Sequence, residues 1–199
     1  MQTITSTLIT EAVFSDDHRK RYLLKKTWDA SLPKLAIILL APSIASTVEL
    51  DSTTILSINN SCALGFGSLS ILNLFATSGD FTLSEAEPED PENMKAILDA
   101  AENNDLILFA PGVGKNKLPV FQQRSKQVLE ALRPYEYKLK CLTSASGKSR
   151  YLHPLCPAVR TWNLAELRID ELLPTADPVE PKPPKKKGRP MVIKKEVSV

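Results

Sequence analysis

No apolar run in these 199 residues approaches a membrane span; the longest, residues 35–41, has seven, against the roughly 20 that cross a bilayer. The first ten residues hold neither a basic cluster nor an apolar stretch, so no secretory signal is expected. Cysteine is scarce too. Cys62, Cys141 and Cys156 have no CxxC spacing and cannot all pair, which excludes a disulfide scaffold and a cysteine-built zinc site and points to a reducing, cytoplasmic setting. Neither a cofactor nor a metal is expected. The composition that remains, 43% hydrophobic and 24% charged, can bury a core, and is neither a collagen-like fibre nor a disordered polymer. Its length suits one domain, or one domain with an appendage.

Charge is unevenly spread. Residues 174–199 carry seven Lys or Arg against three Asp or Glu, a net of +4, whereas the other 173 residues hold 18 basic and 20 acidic side chains, a net of −2. Five of the 15 prolines fall within 174–184, where they block helix and ladder formation and favour extended backbone. This reading divides the chain into an N-terminal segment (1–20), a folded domain (21–173) and a disordered basic tail (174–199). In the tail, Lys185-Lys186-Lys187-Gly188-Arg189-Pro190 precedes Lys194-Lys195. Gly-Arg-Pro flanked by lysines resembles an AT-hook, an extended segment that fits the narrow, strongly negative minor groove of A·T-rich DNA. Lys187 stands where that motif usually has an arginine. Attraction to any polyanion, a nuclear-type address and a solubilising tail are the competing readings.

The body alternates strand and helix patterns. An edge strand is expected at 21–25 and a strand buried on both faces at 34–40 (KLAIILL), ending at Ala41-Pro42-Ser43. Asp51, Ser52 and Thr53 are N-cap candidates for a helix to about Leu64 that turns Ile55, Ile58 and Cys62 inward. A second strand follows at 69–75, then an acidic loop. Asp90-Pro91-Glu92 signals a helix start. A third strand at 105–110, a helix at 120–132 and a fourth strand at 137–142 complete the pattern. Such alternation predicts an α/β domain: a mainly parallel four- or five-stranded sheet flanked by helices. The loops after its strands should converge on one ligand crevice.

That convergence nominates the site residues. His153 could stabilise developing negative charge or merely satisfy loop backbone. Asn73 sits in an apolar strand, where its amide must find partners; it could read a base edge or pin a loop. Asp51 could orient a water or simply cap a helix. Ser43 and Phe75 complete the expected ligand-binding set. Gly112-Val113-Gly114-Lys115 lacks the first glycine and the hydroxyl residue of a phosphate loop. The carboxylates Glu85, Glu87, Glu89 and Asp90 have no histidine nearby and read as a solvated connection. Ser43 lacks the nucleophile elbow of a serine hydrolase.

From about residue 21 to 157, the order of motifs resembles the bacterial and phage family known as domain of unknown function 1643. The carriers are Arg21-Tyr22-Leu23-Leu24, Thr27-Trp28-Asp29, Pro33-Lys34-Leu35, Ala41-Pro42-Ser43, Asp51-Ser52-Thr53, Asn73-Leu74-Phe75-Ala76 and His153-Pro154-Leu155. More distantly, the order is similar to that of uracil-DNA glycosylases. In those, a proline loop after the first core strand positions water, a later strand ends in a base-reading asparagine, and a late His-Pro stabilises the departing base. Asn73 and His153-Pro154 stand in matching places. Two departures matter: Ala41 occupies the place of the polar residue before Pro42, and Phe109-Ala110-Pro111-Gly112 replaces the family's usual Trp-Gly. The resemblance implies a nucleic-acid-associated protein with a glycosylase-like crevice for a nucleobase or nucleotide. Its alternatives are a non-catalytic accessory protein tethered to DNA or an acidic partner by the tail, and a small-molecule or nucleotide-phosphate enzyme of the mobile-element kind.

Overall fold

In a computed structural model that describes residues 1–43, 47–79, 82–83, 86, 88–113 and 118–173, the most apolar runs become the centre of a sheet. They are β3 (Lys34–Leu39), β4 (Ser68–Asn73) and β5 (Leu106–Phe109). Leu35 and Ile37 pack on one face of β3 and Ala36 and Ile38 on the other, all at most 1% exposed. Burial on both faces is why the run is continuous rather than alternating.

Seven strands take part, two or three more than expected. β1 (Ile9–Phe14), β2 (Arg21–Thr27), β6 (Leu139–Thr143) and β7 (Asn163–Glu166) extend the order to β1-β2-β4-β3-β5-β6-β7. β4, β3, β5 and β6 run parallel, whereas β1 with β2, β2 with β4 and β6 with β7 pair antiparallel. The parallel core is therefore as expected and the flanks are not. β1 shows alternate positions to solvent and β7 has four residues, so neither carries a strong apolar signal. β1 also covers β2, which is interior rather than an edge.

Crossovers lie on both faces. The connection from β3 to β4 holds α1 (Ser52–Ala63), which with Trp162 and Val159 covers the face of Leu35 and Ile37. The connections from β4 to β5 and from β5 to β6 hold α2 (Pro91–Asn103) and α3 (Pro119–Ala131); both cover the other face, as does Ile169 of the short α4 (Ile169–Leu172). Crossovers that run in opposite directions must use opposite faces to keep one hand. The reversal falls at β3, so the chain leaves β3 and its neighbour β5 toward opposite faces. The gap between their carboxyl ends is the natural crevice of such a sheet.

Two local readings change. α1 turns Thr54, Ser57, Asn60 and Ser61 inward, while Ile55 and Cys62 are exposed. Its polar face is used: the Asn60 amide donates to the carbonyls of Leu56 (2.9 Å) and Arg160 (3.1 Å) and accepts from the Trp162 N–H (2.9 Å), tying the loop before β7 to the helix. Residues 133–138 form a 3-10 turn that delays β6 to Leu139. The tail, 174–199, lies outside the described residues.

Candidate functional site

The chain leaves β3 through Leu40-Ala41-Pro42-Ser43, and α1 runs back against the strands, so its N-terminus returns to their carboxyl ends. Asp51 is the N-cap there, its carboxylate accepting the Thr54 N–H at 2.6 Å. Ser43's hydroxyl donates to the same carboxylate. Burial alone would raise the Asp51 pKa, but the bonds from Ser43 and Thr54 and the charge of Arg21 outweigh it and hold the carboxyl below its ordinary value.

Arg21 reaches this group through an irregularity in β2. Val13 pairs with Leu23 but Phe14 pairs with Arg21, leaving Tyr22 as the extra residue of a bulge. The bulge restores Arg21 to the face of Leu24 and Lys26. Tyr22 accordingly feels Asp90 and Glu92 near the start of α2, while Arg21 feels Asp51. Arg21 is only 5% exposed, and its Nε has no hydrogen-bond partner.

His153 enters from the loop after β6. The Leu152 N–H bonds Leu142 O at 3.2 Å, and the Cys156 N–H bonds His153 O at 2.8 Å. Tyr151 just before holds φ at 59°, a left-handed value that a bulky side chain seldom takes. Its hydroxyl faces Glu171 at 3.5 Å, and Arg150 pairs with Glu171 at 3.1 Å, so α4 braces this turn. Nδ1 of His153 accepts the Leu155 N–H at 3.2 Å, which leaves the proton of the neutral ring on Nε2. Burial pushes its pKa down and Asp51 only partly restores it, so the ring is neutral at pH 7. After β5 the chain turns at Gly112, φ 85°; a Cβ there would lie 3.2 Å from His153 Cβ. Glycine thus permits the close passage of this loop past the imidazole.

Asn73 ends β4 opposite Leu39. By strand alternation it shares the face of Leu69 and Ile71, which α1 covers. It is 1% exposed, and neither Oδ1 nor Nδ2 has a partner; it is the one amide side chain among the described residues so left. Its backbone is held from behind. Asn93 of α2 donates to Asn73 O (3.0 Å) and Leu74 O (3.1 Å), and the buried Arg124 of α3 donates to Leu74 O (2.8 Å) and Pro88 O (3.3 Å). Phe75, expected at the ligand, is placed in the core under α2 and α3, away from the α1 face.

At this end of the sheet Ser43, His153 and Arg21 surround Asp51, Asn73 ends the strand on the same face, and Asn93 and Arg124 hold that strand end from the other face; the sequence nominates neither Arg21 nor Asn93 nor Arg124 as a site residue. The bulge at Tyr22 breaks the alternation that would have marked Arg21, and a lone cation on an otherwise ordinary helix gives no sign that Arg124 is buried. A cavity of about 720 Å³ opens on the other side of Pro111-Gly112, floored by Phe109, Phe121 and Leu129. Gly112, part of its lining, lies beside the His153 side chain.

Other expected residues lie elsewhere. Asp90 caps α2 through the Asn93 N–H (3.0 Å) and pairs with Lys20 (3.0 Å). Glu85, Glu87, Gly114, Lys115 and the whole set from Lys185 to Lys195 fall outside the described residues. Thr27-Trp28-Asp29 sits at the opposite end of the sheet, where Trp28 Nε1 donates to Phe66 O and the N–H groups of Trp28 and Asp29 converge on Gly67 O. A Cβ on Gly67 would meet Asp29 O at 1.9 Å, so this motif is architectural. Among the described residues no helix is long and apolar enough to cross a membrane, and no three His, Cys, Asp or Glu gather as a metal site.

Fold and rim together define a mixed α/β domain with a polar, partly charged cluster of side chains at the topological switch of its sheet. The family model described as "Protein of unknown function (DUF1643)" matches residues 21–155, and the chain belongs to that family. The match begins at Arg21 and ends two residues after His153, enclosing every rim residue named above while leaving out β1, β7 and α4. No curated protein and no solved structure matches the chain.

Proposed function

We propose that this chain is a nucleic-acid-associated, cytoplasmic protein whose recess at the ends of β3, β4 and β5 holds a nucleobase or nucleotide. The observation that carries this reading is the unpartnered Asn73 amide. A buried polar group without a partner costs about 1–3 kcal/mol, and Asn73 leaves a donor and an acceptor side by side. A planar ring edge with adjacent carbonyl and N–H groups, as in uracil or thymine, satisfies both at once. His153, neutral and protonated at Nε2, offers a donor to an oxygen that bears or develops negative charge. The distant likeness to uracil-DNA glycosylases supplies the same pairing of roles. The basic tail supplies sequence-tolerant attraction to the phosphate backbone.

Ala41 before Pro42 favours holding the base over cutting it. It offers no polar group to orient an attacking water, and Asp51 is engaged by Thr54 and Ser43. The accessory reading, in which the recess recognises without reacting, follows from that. Incubation with single-stranded oligonucleotides containing uracil or modified bases, followed by alkali, separates the two. Strand scission means excision; intact strands with ligand-induced thermal stabilisation mean recognition alone. Absence of both rejects the base-binding reading.

A further inference from the structure

We infer that Arg21 is the anion-binding residue of this recess and that its ligand carries a phosphate beside the base, as a mononucleotide or as a nucleotide within a strand. The inference rests on the base-binding reading and adds the charge of the ligand to it. Arg21 is buried to 5% exposure with its Nε unpartnered. Buried charges are ordinarily paired and hydrogen-bonded. The carboxylate whose field Arg21 feels is Asp51, and that carboxylate already accepts from Thr54 and Ser43. Among the described residues no carboxylate lies within ion-pair distance of Arg21.

A second cation, Lys26, shares the face of β2 with Arg21. Its ammonium is spent on Thr10 Oγ1 (2.8 Å) and Thr47 O (2.7 Å), neutral acceptors that leave its charge uncompensated. With His153 neutral, Arg21 and Lys26 set two positive charges against the one negative charge of Asp51. A neutral base leaves that excess standing. A phosphate oxygen on Arg21 removes it through charge-assisted bonds, for which the planar guanidinium is suited. The bulge at Tyr22 has a direct consequence here, because without it Arg21 would face α2.

The test is calorimetric titration of the full chain with deoxyuridine, the four common deoxynucleosides, their 5′-monophosphates, inorganic phosphate and a short single strand. In the wild-type protein the preferred monophosphate should bind about tenfold or more tightly than its nucleoside. Arg21→Gln should abolish that advantage, and Arg21→Lys should retain part of it. A strand that binds more tightly than the monophosphate places the phosphate in a backbone; the reverse identifies a free nucleotide. Equal wild-type affinities for nucleoside and monophosphate overturn the role of Arg21 while leaving the base-binding reading intact. Failure of every nucleoside and nucleotide to bind overturns both. The wild-type comparison decides even where the Gln variant does not fold.

Discussion

Asn93 donates to the carbonyl of Asn73 at 3.0 Å, so the end of β4 is fixed through its backbone while the Asn73 amide stays unpartnered. Two buried asparagines at the same rim thus do opposite work, and substitution separates them. Asn93→Ala strips a donor from two carbonyls and should destabilise the protein by about 1–3 kcal/mol. Asn73→Val, β-branched and apolar at the end of a buried strand, should leave stability unchanged or raise it by a similar amount. It should also erase the thermal shift given by nucleosides. Denaturant unfolding of both variants checks this; a large loss of stability in Asn73→Val would mean that the amide has a structural partner.

Glycine at 112 is predicted to serve the imidazole as well as the backbone. Gly112→Ala incurs about 1–2 kcal/mol for the left-handed conformation and pushes a methyl against His153 Cβ. Gly147, φ 71°, has nothing within 4 Å of its would-be Cβ and makes a matched control. Both alanine variants should lose stability, Gly112→Ala the more, but nucleoside affinity should fall only for Gly112→Ala. Equal affinities would detach the turn after β5 from the recess.

Acid should weaken the fold in two steps. The His153 pKa is depressed by burial, so the unfolded chain takes up the proton first as pH falls. Its contribution is full above the ordinary histidine value of about 6.5 and is lost as pH drops toward the folded-state value. Asp51 is also depressed, so its contribution is full above the ordinary value of about 3.9 and is lost below it. Unfolding free energy measured against pH should therefore show a shallow decline below neutrality that His153→Gln removes. An unchanged profile in that variant contradicts the assigned environment of the ring.

Much of the core was legible because burial on both faces writes itself as uninterrupted apolar sequence, as in Leu35, Ile37 and Ile38. Asp90-Pro91-Glu92 likewise announced α2 with the chemistry of its cap. The edges were not legible. β1 alternates as a half-exposed strand, and β7 is too short for any period to show. α1 misled for a physical reason: its inward face is polar because Asn60 must bind the loop that ends at Trp162. Ser43, Asp51, Asn73 and His153 are nominated from sequence by the expectation that the loops after parallel strands converge. Arg21 is not, because one bulged residue reverses which face it meets. Phe75 follows a strand and is expected at the ligand, but two residues beyond Asn73 the chain has turned into the core.

Removal of residues 174–199 should weaken DNA binding and flatten its dependence on salt, by roughly 0.9 in the logarithmic slope for each phosphate that the tail neutralises. Nucleoside binding should be unaffected, because the rim residues all precede Leu173. Titrations of the full and shortened chains at several salt concentrations test this. Unchanged slopes would return the tail to a solubilising role.

A crystal structure of the wild-type protein soaked with the tightest-binding nucleoside monophosphate tests the central claim most directly. The account predicts the base edge against both atoms of the Asn73 amide, an oxygen at Nε2 of His153 and the phosphate at Arg21. Density for the base in the cavity floored by Phe121 and Leu129, with Asn73 still unpartnered, would contradict it.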